Sequence, residues 1–336
     1  MVLRDFHIDG TGVRIPPVVP LSEAVADGRY SAEDLAETRL ESIAVSTEGF
    51  PAEMAAEAAR EAVAASSHDP ADVALTLYAY ISQQGLAGWH SGAYVHRFAV
   101  GNHAPVIEVG QRSNGGLAAL DLATAYLEAR GGSAALIATG DRFGDLVGGR
   151  WHFDDGLIPG DGATALVVSR ERGFAKLLSL ATYSDSSLEE LHRGDAVYVG
   201  RQEPEATPSF RQRKREYLAK HDLEETAAKF SAGGTAAVTQ ALDEAGLRKK
   251  EIDHWVLPNI GLRELRTYYL DPLEVPVEAT QWSWGRTVGH LGAGDQIAGL
   301  HRLRVQGGVA PGQAVALLGI GAGFSWSCAV LRIEGE

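Results

Sequence analysis

Two segments of the chain share one pattern of apolar and polar positions. "FPAEMAAEAAREAVAASSHDPADVALTLYAY" (50–80) carries Ala and Val at helical spacing, breaks at a polar loop, and continues as an apolar run rich in β-branched and aromatic residues. "SAGGTAAVTQALDEAGLRKKEIDHWVLPN" (231–259) repeats that order at similar spacing. Helical periodicity followed by a short apolar run predicts a helix leading into a strand, and meeting it twice predicts a duplicated unit. Two α/β halves follow, 1–175 and 176–336. Further strands are predicted at 134–139, 163–169, 314–319 and 326–333, several of them nearly continuous apolar runs. Such runs suit strands buried on both faces, so the fold class is α/β, with helices sandwiching mixed sheets.

With 336 residues the chain is long enough for two domains or one large duplicated one. No apolar run approaches the roughly 20 residues that cross a bilayer, and "MVLRDFHIDGTG" lacks the profile of a secretory signal, so a cytoplasmic location is expected, with no membrane partner. A formal charge of −14 argues against nucleic acid as a partner. The single cysteine, Cys328, excludes a disulfide framework and reads as a core thiol in the last strand.

The stretch 184–226 is polar and weakly periodic. It reads either as a solvated connection or, through Arg211, Arg213, Lys214, Arg215 and Lys220, as the landing site of an acidic carrier.

Candidate chemistry begins at "VIEVGQRSNGGLAALDLATAYL", where an apolar approach ends at Ser113 and a long helix follows. A serine at such a corner is exposed at the positive end of a helix, and Gly115 and Gly116 would let a substrate approach the backbone. The same serine could simply cap the helix. In "SWGRTVGHLGAGDQIAGL" His290 and Asp295 stand five apart in a glycine-rich loop that turns into a helix. A hydroxyl nucleophile needs a base, and the base works best when a carboxylate fixes its tautomer, so Ser113, His290 and Asp295 could fill those roles. The alternative is Asp295 as a helix cap beside an incidental histidine. "PGDGATALVVS" and "GIGAGFSWS" match no phosphate-binding loop and read as tight turns running into strands. The remaining histidines show no metal-ligand spacing. Neither a metal nor another cofactor is expected.

Together these segments resemble the thiolase-fold β-ketoacyl-carrier-protein synthase III family. The nucleophile segment is similar, Glu108 included, with serine at 113 where the family has cysteine. "PGDGATALVVS" resembles its Gly-Asp-Gly-Ala strand entry, and "GIGAGFSWSCAVLRI" its final turn and strand. The resemblance spans the chain and implies a thiolase-like fold, with duplicated halves stacked as an α-β-α-β-α sandwich. It places the nucleophile in the first half and the His/Asp pair and oxyanion turn in the second. It further implies a homodimer, with "GWHSGAYVHRF" (88–98) near the contact or the pocket mouth.

Two further departures bear on activity. Asn259 in "PNIGLRE" stands where the family's histidine belongs, and Arg286 in "GRT" where its asparagine belongs. With all three condensing residues changed, the resemblance points to the acyltransferase and starter-unit subgroup of secondary metabolism. Carried over by position, Ser113 accepts the acyl group, His290 is the base, Asp295 orients it, and the backbone N–H groups of Ser113 and Ala322 form the oxyanion hole. A thiol is activated largely by a helix dipole whereas a hydroxyl needs a base, so the exchange of Cys for Ser and a His/Asp pair go together. The expected function is acyl transfer from an acyl-carrier-protein thioester, or a carrier domain of a polyketide synthase, to a hydroxyl or amine of a sugar- or aminocyclitol-type acceptor in antibiotic biosynthesis. Leu35 replaces the adenine-stacking tryptophan of coenzyme A users, although Arg39 is kept, which favours the carrier. Arg263 and Arg266 join the basic cluster as carrier contacts, and Asn259, Trp282, Trp284 and Arg286 are expected at the substrate. The alternatives are a starter-unit ketosynthase condensing a short acyl group with malonyl carrier protein, and a catalytically silent partner subunit.

Overall fold

A computed structural model describes residues 5–144, 149–196 and 209–335. Among the described residues eleven strands are formed: β1 (His7–Arg14), β2 (Val18–Pro20), β3 (Ser42–Ala44), β4 (Val73–Ala79), β5 (Val106–Val109), β6 (Ala134–Asp141), β7 (Gly162–Ser169), β8 (Ala175–Ser184), β9 (His254–Val256), β10 (Ala314–Gly321) and β11 (Ser325–Ile333). All but the small β2–β3 pair join one hydrogen-bonded array in the order β5-β4-β6-β7-β1-β8-β11-β10-β9.

The array bends at β1 and β8, which pair only through His7 with Lys176 and Ile8 with Ala175. On one side β4 and β6 run parallel, while β6–β7 and β7–β1 are antiparallel. On the other, β9 and β10 run parallel, while β10–β11 and β11–β8 are antiparallel. The same sequence of pairings therefore occurs twice. Each parallel pair is fed by one of the two helix-to-strand units, the helix Pro51–Ala64 before β4 and the helix Leu223–Ala245 before β9.

Five layers result. The middle one is the helix Gly115–Arg130 with the helix Asp295–Val305. Leu117, Leu120, Leu127, Ile297 and Leu300 pack there against Leu77 and Ile137 from one sheet and Leu317 and Leu331 from the other. Pro51–Ala64 covers the outer face of the first sheet and Leu223–Ala245 that of the second. The alanine-rich helix approaches β1 so closely that a Cβ at Gly10 would lie 2.0 Å from the Ala62 carbonyl oxygen, and one at Gly12 2.1 Å from that of Ala58. This is a thiolase-like α/β fold, and β6, β7, β10 and β11 cover the strands the sequence predicts at 134–139, 163–169, 314–319 and 326–333.

The polar stretch 184–226 is more ordered than a plain connection. It contains the short helix Glu190–Arg193, the helix Phe210–Leu218 and the start of Leu223–Ala245, and its residues 197–208 lie outside the described ones. Asp222 caps the last helix by accepting from the Glu225 N–H at 2.8 Å, which lets the helix begin in polar sequence eight residues before the apolar pattern starts. Among the described residues no helix is long and apolar enough to cross a membrane. Cys328 is buried in β11, where loss of solvent pushes its thiol up to about 12 and leaves it inert.

Candidate functional site

Ser113 sits in a single 3-10 turn, Arg112–Asn114, between β5 and the helix Gly115–Arg130. Arg112 takes the left-handed conformation (φ 51°), turning the chain sharply just before the serine. The hydroxyl makes no capping bond to the helix. It lies 2.8 Å from His290 Nε2. Gly115 and Gly116 admit protein where the sequence suggested substrate. A Cβ at 116 would fall 2.7 Å from the Ala293 carbonyl oxygen, so the bare backbone is what lets the histidine loop settle on the nucleophile helix.

His290 is fixed at its backbone by the "PGDG" turn. Its N–H donates to the Ile158 carbonyl at 3.0 Å, and its own carbonyl accepts from Gly160 at 2.8 Å. Its other ring nitrogen, Nδ1, is 2.6 Å from Asp295 Oδ2. The carboxylate of Asp295 accepts three further bonds, from the Leu291 N–H (2.7 Å), the Asn259 N–H (2.9 Å) and Asn259 Nδ2 (3.1 Å). Four donors hold it in one orientation, and a carboxylate so placed requires the proton on Nδ1 and leaves Nε2 as an acceptor facing Ser113. Burial alone would pull the His290 imidazole down. The charge and hydrogen bond of Asp295, with Asp141 behind, outweigh it and raise its pKa above the ordinary 6.5.

Asp141 was not singled out from sequence. It is fully buried at the end of β6 and accepts from Ile81 and Ser82 (both 2.7 Å) and from Ala293 (3.1 Å), tying the end of β4 to the histidine loop. Burial, opposed by those backbone bonds, pushes its carboxyl up to about 6. Asp161 of the "PGDG" turn is a second clamp, accepting from Ser46 (2.7 Å) and Phe143 (2.8 Å) and pairing with buried Arg150 at 3.0 Å.

A cavity of about 660 Å³ opens onto Ser113 and His290. Phe143, Phe153, Phe210, Phe230 and Phe324 put aromatic rings in its walls, and Asp154, Asp155, Arg213, Lys214, Arg263 and Glu264 supply charge. Ala322, in the turn between β10 and β11, also lines it. That turn abuts the nucleophile so tightly that a Cβ at Gly321 would come 2.1 Å from the Gln111 carbonyl oxygen.

Four residues expected at the substrate lie elsewhere. Asn259 is spent on Asp295, as described. Trp282 donates its indole N–H to the Ile260 carbonyl at 3.1 Å. Arg286 stacks over Trp282 (4.8 Å) and pairs with Glu41 (2.7 Å), and Trp284 packs against Arg302 (5.3 Å). None of the four lines the cavity. Closeness in sequence to His290 does not direct the side chains of Trp282 and Trp284, which the short helix Trp282–Gly285 turns away from the cavity.

The basic cluster divides. Arg211 pairs with Asp155 at 3.1 Å and Lys214 with Asp154 at 3.2 Å, both largely covered, while Arg213 lies over the Phe210 ring at 4.0 Å and lines the cavity. Arg213 and Lys214 belong to the cavity wall, and the charges of Arg211 and Lys214 are already paired. Arg215, Lys220, Arg263 and Arg266 are exposed, the last three beside Asp195, Glu37 and Asp271 respectively.

Known proteins are similar to this chain over part or nearly all of its length. Residues 242–333 match the family model of the 3-oxoacyl-[acyl-carrier-protein] synthase III C terminal. The β-ketoacyl-[acyl-carrier-protein] synthase III of Aquifex aeolicus (strain VF5) is 22% identical over 283 residues, covering 83% of each chain. A crystal structure of the synthase from that organism superposes with a TM-score of 0.78 at 20% identity, over 97% of this chain and 99% of that one. ChlB3, described as an acyltransferase, superposes with a TM-score of 0.93 at 33% identity, over 99% of this chain and 98% of its own. A likeness at that identity along nearly the full length of both chains, on the same five-layered fold, makes this chain a member of the β-ketoacyl-acyl-carrier-protein synthase III-like family of thiolase-fold proteins.

Proposed function

We propose that this chain is an acyltransferase of specialised, antibiotic-type metabolism, moving an acyl group from a carrier-protein thioester to a hydroxyl or amine of a small scaffold of sugar or aminocyclitol type. The observation that carries this reading is the unbroken relay from Ser113 Oγ through His290 to Asp295, opening onto a cavity wide enough for an acyl group. His290 Nε2 takes the serine proton as Oγ attacks the thioester carbonyl. The oxyanion forms against the N–H groups of Ser113 and Ala322, and the departing thiolate takes the proton from His290. An acceptor hydroxyl or amine then gives a proton to the same nitrogen, attacks the acyl-serine, and Ser113 Oγ regains the proton as the ester or amide product leaves.

Asn259 faces Asp295 and Arg286 lies outside the cavity, so neither stands where it could assist decarboxylation of a malonyl group, which disfavours the ketosynthase alternative. A silent subunit has no use for a complete relay. The description of ChlB3 as an acyltransferase supports the same reading. Leu35 packs into the cluster of Leu21, Tyr30 and Leu40 and offers no aromatic face to an adenine, in keeping with a carrier as donor. We take the functional unit to be a homodimer in the cytoplasm, and light scattering would check the dimer.

The test is intact-protein mass spectrometry after incubation with acyl thioesters and no acceptor. Wild type gains one acyl mass and Ser113→Ala none. If wild type stays unmodified with every donor and His290→Ala retains full transferase activity, the reading is wrong.

A further inference from the structure

His192, in the short helix Glu190–Arg193, is part of the cavity wall but not of the relay. Its ring stands between Phe210, edge-on with centroids 5.1 Å apart, and Phe324, tilted at 5.0 Å. Its backbone carbonyl accepts from the Arg213 guanidinium at 2.6 Å, which fixes the residue in place. Nδ1 is sealed from solvent without a hydrogen-bond partner among the described residues, which leaves Nε2 as the nitrogen that meets the cavity. With Nδ1 closed off, the hydrogen-bonding capacity that this ring can offer to a molecule in the cavity lies at Nε2.

The surroundings also decide which form the ring takes. Burial, with Arg213, Lys214 and Arg112 nearby and only Asp154 opposing, pulls the imidazole down to about 4. It is therefore a neutral donor and acceptor at working pH, unsuited to pairing with an anion and suited to a hydroxyl or ether oxygen. Leaving Nδ1 as the bare acceptor places the proton on Nε2, pointing into the cavity.

We propose that His192 is a specificity residue that donates from Nε2 to a hydroxyl oxygen carried by the acyl group, selecting oxygenated acyl donors over unsubstituted ones. This inference rests on the acyl-transfer reading above. The aromatic rings on either side of His192, which also line the cavity, favour a flat acyl body.

The experiment measures single-turnover acylation of the full-length protein, without acceptor, by N-acetylcysteamine thioesters of benzoic acid and of 2-, 3- and 4-hydroxybenzoic acid. One hydroxylated isomer is expected to load about tenfold to a hundredfold faster than benzoyl in wild type. His192→Phe, which keeps the aromatic wall, should abolish that preference, so that all four donors load at similar rates. His192→Gln, which restores a donor, should recover part of it, and circular dichroism checks that both variants fold. Equal loading of all four donors by wild type, or a preference that survives in His192→Phe, overturns the role of His192 and leaves acyl transfer standing. Failure of wild type to load any of them, or any other acyl thioester, removes the acyl-enzyme reading and this inference with it.

Discussion

Replacing Asp295 by Asn tests the relay at its least visible member. The carboxylate accepts from His290 Nδ1 and the Asn259 N–H on Oδ2, and from the Leu291 N–H and Asn259 Nδ2 on Oδ1. An amide of the same shape has one oxygen to give. With that oxygen in the Oδ1 position, its NH2 faces the imidazole, which must shift its proton to Nε2. Ser113 then meets a donor where it needs an acceptor, and the Asn259 N–H is orphaned. With the oxygen in the Oδ2 position the tautomer survives, but the Leu291 N–H and Asn259 Nδ2, both bonded to Oδ1, lose their acceptor. Each buried orphan costs about 1–3 kcal/mol of stability. The first should lower the rate of Ser113 acylation by about ten-thousandfold, the scale seen when a triad carboxylate is neutralised without change of shape.

The pH dependence carries an independent sign. In wild type the imidazole must be neutral to take the serine proton, and its pKa is raised, so acylation climbs with pH through a midpoint above 6.5. Removing the Asp295 charge leaves burial, the largest influence on the group, opposed only by Asp141, and the midpoint should move below 6.5. Quenched-flow acylation with a small thioester, followed by mass spectrometry across pH 5–9, reads both quantities. An Asp295→Asn enzyme within tenfold of wild type, or a midpoint displaced to alkaline pH, would refute the argument.

Three other outcomes are expected. Asn259→Ala removes one of the four donors to Asp295 but touches no cavity surface, so kcat should fall by about tenfold while KM for the donor stays put, as steady-state kinetics would reveal. Arg150→Met strands the fully buried Asp161 carboxylate and should lower the unfolding free energy in urea by about 3–5 kcal/mol. Arg215→Glu combined with Arg266→Glu reverses two exposed charges and should raise KM for a carrier-bound donor about tenfold, leaving the N-acetylcysteamine donor unaffected. Equal KM values for the carrier in wild type and variant would remove those positions from the docking surface.

The parts legible in sequence are those in which local pattern and tertiary role coincide. Strands buried on both faces announce themselves as apolar runs, and the helix-to-strand unit is visible twice because each copy must cover its own sheet. Ser113, His290 and Asp295 could be singled out because a glycine-rich loop with a His and an Asp five apart is constrained in direction as well as in spacing. One wall of the cavity was hidden because it comes from short helices in the polar stretch 184–226. There Leu191, His192, Phe210 and Leu218 face inward while their charged neighbours pair across the rim. Such helices carry too few turns to show a period. Phe210 and Leu218, eight apart among charged residues, are the one trace of that inward face.

The position of Asn259 explains why restoring the residues of a condensing enzyme one by one should fail. Its backbone and side chain both donate to Asp295, and its Oδ1 occupies the space a Cβ on Gly285 would need, only 2.3 Å from that point. An imidazole at 259 is broader than the amide it replaces. It would press on the helix Trp282–Gly285, and its ring would withdraw one of the donors that orient the acid of the relay. The double variant Ser113→Cys with Asn259→His therefore gains a thiol and a histidine without gaining their usual geometry, because residue 259 points at Asp295 and away from the cavity. With a 14C-carboxyl-labelled malonyl thioester it should release no more labelled carbon dioxide than wild type, while acyl transfer falls below that of Ser113→Cys alone. Labelled carbon dioxide well above wild type would mean that residue 259 reaches the cavity after all, and that the distance between condensing and transferring chemistry on this fold is two substitutions.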